Sequence, residues 1–216
     1  MIDLHTHTLI SDGCLLPSEL ARRAAVAGYE ALAITDHADD SNIDFVLKSL
    51  KKVSRELGKN LGLRIVPGVE LTHIPPAEIA RMVKKARRLG AAIVVGHGET
   101  LAEPVAPGTN TAFITSRVDI LAHPGLITEE DTRLAKKNSV HLEITTRRGH
   151  SLSNGHVALM AKTCGAKLVL NTDAHGPSDL VSDEAAERIA MGSGLGKNDF
   201  SKIQKNAREL LKKIKY

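Results

Sequence analysis

The chain has no Trp, and aromatic residues make up only 2% of its 216 residues. A core must therefore be packed from Val, Ile, Leu and Ala, and few rings remain to stack on unpaired bases, which weighs against a reader of single-stranded nucleic acid. The only cysteines, Cys14 and Cys164, lie far apart and outside any Cys-x-x-Cys spacing. Neither a disulfide framework nor a thiolate zinc site is suggested, and a reducing cytoplasm fits. No apolar run approaches the roughly 20 residues needed to span a bilayer, and no basic segment followed by an apolar stretch opens the chain. The expectation is a cytoplasmic protein without membrane contact. Low-complexity linkers and breaks in composition are also missing, so residues 1–216 are read as one domain.

What is present is ordinary for a globular protein: 42% hydrophobic and 25% charged residues. The formal charge is +4, with a pI near 9.1. Lys and Arg concentrate in residues 81–88 and 202–215, where the periodicity suits solvated helix faces. Short apolar runs at residues 2–4, 31–35, 64–66, 92–95, 120–122, 140–144 and 167–170 read as strands. Between and after them, residues 17–27, 42–57, 76–89, 129–136, 155–164, 179–191 and 199–214 read as helices. This β/α alternation predicts a mainly parallel sheet with helices outside, closed into a barrel or left open. Residues 98–115, interrupted by Pro104, Pro107 and Gly108, are expected to form a long loop that is either a lid or a plain connection.

Polar residues of metal-binding type close most of the strand candidates. His5 and His7 stand two apart, so both imidazoles leave one face of an extended chain. Asp12 follows in Ser11-Asp12-Gly13. Later strands end in Thr35-Asp36-His37, Gly68-Val69-Glu70, Gly96-His97-Gly98, Ala122-His123-Pro124 and Asp173-Ala174-His175. In a parallel sheet all of these reach the C-terminal edge, where α/β folds place their sites. One histidine at a strand end is more often a hydrogen-bonded structural residue. Six at corresponding ends would be costly to bury together unless divalent cations compensate. Imidazole and carboxylate without thiolate suit zinc, manganese or iron.

These ordered motifs, from Asp3-Leu4-His5-Thr6-His7 to Asp173-Ala174-His175, resemble the polymerase and histidinol phosphatase (PHP) superfamily. The resemblance implies a distorted (β/α)7 barrel with three divalent metal ions. Carried over motif by motif, His5, His7, Glu70 and Asp173 hold one ion, and Glu70 bridges to a second held by His97 and His123. Asp12, His37 and His175 hold the third; Asp12 departs from members that carry histidine there. The implied activity is that of a metal-dependent phosphoesterase, with histidinol phosphate the substrate most directly suggested. The alternative is a nuclease or nucleotide phosphoesterase using the same cluster.

Counting charges supports an anionic substrate. Three divalent ions bring about +6 against about −3 from Asp12, Glu70 and Asp173, leaving about +2 once a bridging hydroxide is included. A phosphate monoester can bridge such ions while metal-bound hydroxide attacks phosphorus. Arg147 and Arg148, just past the sixth strand, are candidates to grip phosphate oxygens, and Glu143 either orients one of them or faces the barrel interior. Asp36 and Asn171 are read as groups that orient ligands or cap strand ends. His73 and His150 are candidates to line the pocket, His141 and His156 to be structural, and Asn154 to cap a helix. The expected partner is a small phosphorylated molecule rather than nucleic acid, and the sequence leaves the oligomeric state open.

Overall fold

The computed structural model describes residues 1–214; Lys215, at the end of the last basic run, and Tyr216 lie outside the described residues. The elements alternate as the periodicity predicts. The strands are β1 (Ile2–Asp3), β2 (Ala31–Ile34), β3 (His37–Ala38), β4 (Arg64–Leu71), β5 (Ile93–His97), β6 (Ile120–Ala122), β7 (His141–Thr145) and β8 (Leu168–Asn171). The helices are α1 (Pro17–Val26), α2 (Ile43–Leu61), α3 (Pro76–Arg88), α4 (Thr109–Thr115), α5 (Glu129–Asn138), α6 (Asn154–Cys164), α7 (Asp183–Gly192) and α8 (Lys197–Lys213). Every pairing is parallel, in the order β1-β2-β4-β5-β6-β7-β8, with the short β3 extending the line of β2 along β4. The molecule is thus an α/β fold built on a nearly closed parallel barrel of seven strands in series.

The ring closes between β8 and β1, where the backbone contributes little. One bridge, Thr6 to Ala174, and two bonds cross this seam: His7 N to Ala174 O at 2.8 Å and Asp173 N to His5 O at 3.0 Å. Side chains complete it. The Asp3 carboxylate accepts from the Thr172 amide and hydroxyl, and Asn171 Oδ1 accepts from the Leu4 amide at 2.8 Å. Asp3 has no solvent exposure, and burial raises its carboxyl to about 7 even though the Thr172 bonds pull the other way.

Strands buried on both faces must be apolar throughout, as in Ile93-Val94-Val95. Inside the barrel Ile2, Leu4, Ala31, Ala33, Val66, Ile93, Val95, Ile120 and Val169 pack together with Ala207, Leu210, Leu211 and Ile214. Helix α8 thereby plugs the end where the strands begin and leaves the opposite end for polar side chains. A second apolar layer, including Leu47, Leu50, Ile79, Met82 and Phe113, joins the helices to the strands.

Several boundaries differ from the sequence reading, β4 running on to Leu71 rather than residue 66 and α2 to Leu61 rather than residue 57. The segment 98–115 is not loop throughout, because α4 occupies its last seven residues and buries Phe113 and Ile114. Helix α7 begins at Asp183 rather than at residue 179: Leu180 is extended, and the Ser182 side chain caps the new start by accepting from the Ala185 amide. The packing of α4 depends on a glycine. A Cβ at Gly96 would meet Phe113 Cγ at 2.5 Å. Replacing Gly96 with Ala is expected to destabilise the fold by about 1–3 kcal/mol through overpacking, read as a lower denaturant midpoint with an unchanged slope.

Candidate metal centre

At the open end of the barrel the nine carried-over positions converge. His5 and His7 leave the extended segment after β1, Asp12 its following loop, and His37 the start of β3. Glu70 lies near the end of β4, His97 ends β5, His123 follows β6, and Asp173 and His175 follow β8. Three overlapping sets each bring their ligand atoms within 4.8 Å of one another: His5, His7 and Glu70; Glu70, His97 and His123; and His7, Asp12, His37 and His175. A further set of His5, His123 and Asp173 overlaps the first two. His7 therefore stands between the ions of the carried-over assignment, its Nε2 3.2 Å from Asp173 and its Nδ1 3.9 Å from Asp12.

Glu70 sits at the middle. It has no solvent exposure, and His5 Nε2, His123 Nε2, His7 Nε2 and His37 Nδ1 lie 2.9–3.6 Å from its oxygens. Yet neither oxygen accepts a hydrogen bond of acceptable geometry, and His5 Nε2, both His7 nitrogens, His97 Nδ1 and His123 Nδ1 are buried without a partner as well. Buried polar atoms without partners are rare, and those of Glu70, His5 and His7 face one another within 3.4–3.6 Å, which fits divalent cations held among them. Without cations the electrostatics are conflicted. Burial pushes His7 down to about 3. Burial also opposes the charge on His37, but Glu70, and after it Asp12, hold that imidazole up at about 10. Glu70 is held well below the usual carboxylate range by His5, His97 and His37, against the effect of its burial.

Backbone strain gathers at the same edge. His123 and Asp173 adopt φ of 28° and 52°, in or near the left-handed region that side chains other than Gly rarely enter. A partner fixes His123 directly, since its amide donates to Glu143 Oε2 at 3.1 Å.

Glu143 faces the barrel interior, one of the two sequence expectations, with Leu142 and Ile144 on either side of it turned to the outer layer. Its Oε1 meets His5 Nδ1 at 2.9 Å and accepts from Asn171 Nδ2 at 2.8 Å, so it orients a histidine and not an arginine. The carboxylate fixes His5 with Nε2 turned to the cluster. Asn171, expected to orient ligands or cap a strand, holds Glu143 in turn. Asp36 is buried and accepts from the amides and hydroxyls of both Thr8 and Ser11 at 2.7–3.2 Å, which pins the loop that carries Asp12. Those four bonds make it an anchor of the loop that presents Asp12.

The two arginines part company. Arg147 is half-buried, with Nε 3.9 Å from Asp173 Oδ2 and a terminal nitrogen 3.3 Å from Asp179 Oδ2, whereas Arg148 is exposed and has no ion pair among the described residues. Asp179, which the sequence reading did not single out, also accepts from the amides of His175 and Gly176. It sets His175 and Arg147 together. His150 stacks on His123 with centroids 4.2 Å apart and meets Thr100 Oγ1 at 2.7 Å. The exposed His73 reaches Glu103 at 3.0 Å. Glu103 was likewise missed, for nothing in a loop sequence marks a carboxylate that folds back onto a strand end. His141 and His156 meet backbone carbonyls, of Asp119 and Ile127, as structural residues do. Asn154 does not cap a helix; both ends of its amide pair with the Thr145 backbone.

With this geometry in view, comparison with known proteins gives a consistent answer. The PHP domain family matches residues 3–215. An uncharacterized protein of Methanocaldococcus jannaschii is 48% identical over 98% of this chain and 99% of its own length. A probable phosphatase of Acetivibrio thermocellus is 27% identical over 81% of this chain and 79% of its own. The DNA polymerase/3'-5' exonuclease PolX of Bacillus subtilis is 27% identical over 80% of this chain, which spans only 34% of that protein. Among solved structures, a chain of archaeal ribonuclease P with mature tRNA shares the fold at a TM-score of 0.73 and 18% identity, over 97% of this chain and 89% of that one. No helix among the described residues is long and apolar enough to cross a membrane.

Replacing Glu143 with Gln should leave the fold intact but release His5 from its fixed orientation. The expected result is a drop in divalent-cation affinity of about 10–100-fold, measured by calorimetric titration of metal-stripped protein. Unchanged affinity would show that His5 needs no such support.

Proposed function

Because the chain belongs to the PHP domain family, a family of metal-dependent phosphoesterases, we propose that it hydrolyses a small phosphate monoester at a cluster of three divalent cations. The carrying observation is Glu70, a fully buried carboxylate that accepts no hydrogen bond while four imidazoles surround it. His5, His7, Glu70 and Asp173 would hold one cation, Glu70, His97 and His123 a second, and Asp12, His37 and His175 a third. Zinc, manganese and iron all suit this donor set. Bound there, the cations would polarise the phosphoryl oxygens and the attacking water.

The protein's own part is to place the phosphate. Arg147 stands beside Asp173, tethered by Asp179, and a guanidinium in that place would suit phosphate oxygens bound at the cluster. Arg148 has no such tether. A monoester also suits the surroundings better than a polynucleotide. Of the aromatic rings described, Phe113 and Tyr29 are buried, Phe200 is partly buried, and only Phe45 is exposed. The basic residues of α3 are partly neutralised, Arg81 and Lys85 by Asp40 and Arg87 by Asp119. A strand of phosphates and bases would find little continuous positive surface or stacking there. The exonuclease relative makes the polynucleotide the comparison to test.

The decisive experiment loads the protein with metal, counts the ions, and compares histidinol phosphate, a mononucleotide and a short oligonucleotide at several salt concentrations. Preference for a monoester is expected, and a strong, salt-sensitive preference for the oligonucleotide would overturn it. In the same assay Glu70→Gln should lose activity together with more than one bound ion. Arg147→Ala should raise KM by about 10-fold or more, the loss of a charge-assisted bond of about 1.5–3 kcal/mol, with metal content unchanged. Arg148→Ala should leave KM near that of the unsubstituted protein.

A further inference from the structure

Beyond the three sets of the assignment, one more group of donors, sharing His97 with them, stands at the mouth of the cluster. Glu103 Oε2 lies 3.0 Å from His73 Nε2 and 3.2 Å from His97 Nε2, and the ligand atoms of all three residues fall within 4.8 Å of one another. The His73 and His97 rings are 5.1 Å apart. Donors held at about 2.0–2.2 Å from one tetrahedral or octahedral ion lie about 2.9–3.5 Å from each other. The two spacings to Glu103 fall in that interval. His73 reaches this place through a backbone φ of 51°, a conformation that costs a side-chain-bearing residue free energy. The loop carrying Glu103 is pinned nearby by Thr100 on His150.

We propose that His73, His97 and Glu103 form a solvent-side cation site, alternative to the inner set of Glu70, His97 and His123, through which one ion enters and leaves the cluster. It rests on the reading that the inner set holds an ion. A neutral imidazole has one nitrogen lone pair free to coordinate, the other nitrogen carrying the proton. His97 therefore serves one ion at a time, and the two sites exclude each other. Their exposure orders them: the side chains of His73 and Glu103 are 45% and 36% exposed, those of His123 and Glu70 1% and 0%. An ion arriving from water meets the outer pair first. It can then exchange Glu103 and His73 for Glu70 and His123 without releasing His97, so it is never left in the buried cluster without a protein ligand. Glu103 also brings a negative charge to the mouth, which offsets the repulsion that ions already bound would exert on an incoming one.

The test uses cobalt(II) and metal-stripped full-length protein. Uptake is followed by visible absorbance in stopped flow, release by transfer to EDTA, and final stoichiometry by equilibrium dialysis. His73→Ala and Glu103→Gln are expected to reach the same final number of ions as the unsubstituted protein, with one ion loading and leaving several-fold more slowly. His123→Ala, which breaks the inner set and leaves the outer one whole, should keep an ion that the double variant His73→Ala/His123→Ala loses. Three ions in the unsubstituted protein, with outer variants that exchange at its rate, would overturn the solvent-side site alone. Uptake of one ion or none by the unsubstituted protein would overturn the cluster reading and this site together. The exchange comparison changes only the exposed His73 and the half-buried Glu103 at the mouth, so it decides the matter even where His123→Ala does not fold.

Discussion

A carboxylate in the dry end of a barrel, ringed by imidazoles and accepting no hydrogen bond, is the constraint on which the rest of this structure turns. Removing an ionised Glu from water without donors costs several kcal/mol, and Glu70 is in that position with no exposure at all. Protonated histidines would relieve it in part, which is why His37 is held at about 10, but burial drives His7 the other way, to about 3. The imidazoles cannot all be charged so close together, nor all neutral beside Glu70, Asp173 and Asp12. Cations resolve the conflict by binding lone pairs on both kinds of group. Neutral imidazoles and ionised carboxylates are then both the favoured forms.

Around that centre, each of three further carboxylates has one defined task. Glu143 orients His5, fixes the His123 amide, and is itself held by Asn171. Asp36 ties down the loop that presents Asp12. Asp179 holds the His175 amide and Arg147. Because these groups stand on β7, beyond β2 and beyond β8, the ligand positions are fixed from several sides of the barrel. Displacing any one of them moves a ligand rather than removing it, and metal affinity is sensitive to shifts of that size.

The convergence of the candidate ligands was readable because two periodic rules coincide. Alternation puts His5 and His7 on one face, and a parallel sheet brings the ends of all its strands to one edge, so His37, Glu70, His97, His123 and Asp173 could be placed without knowing any loop. Residues whose role depends on loop conformation were not readable. Glu103 and Asp179 act through folds of segments 98–108 and 176–180 that no period encodes, and the separation of Arg147 from Arg148 is a matter of which way one turn faces. Glu143 illustrates a different limit. Its place on a strand was evident, but its partner His5 follows β1 on the other side of β8, and register between strands that are distant in sequence is set by packing of the whole. Helix α4 was hidden because it is short and follows Pro107 and Gly108, where turn signals dominate.

The seam of the barrel connects the centre to the fold. Between β8 and β1 the ladder is reduced to one bridge and two backbone bonds, and Asp3 with Thr172 and Asn171 with Leu4 make up the difference. The same two segments carry candidate ligands on either side of the gap: His5 and His7 on one, Asp173 and His175 on the other. Their side chains approach across it to 3.2 Å between His7 and Asp173. A cation held by both sides would join the edges of the sheet where hydrogen bonding is weakest. Its binding free energy would therefore add to that of closing the ring, since a ligand bound only by the folded state stabilises it by RT ln(1 + L/Kd), with L the free-ligand concentration. With the candidate ligands at the seam, metal loading would favour barrel closure. The strain at Asp173 and His123 can then persist, because the same set of contacts that would bind the ions also holds those two backbones in place.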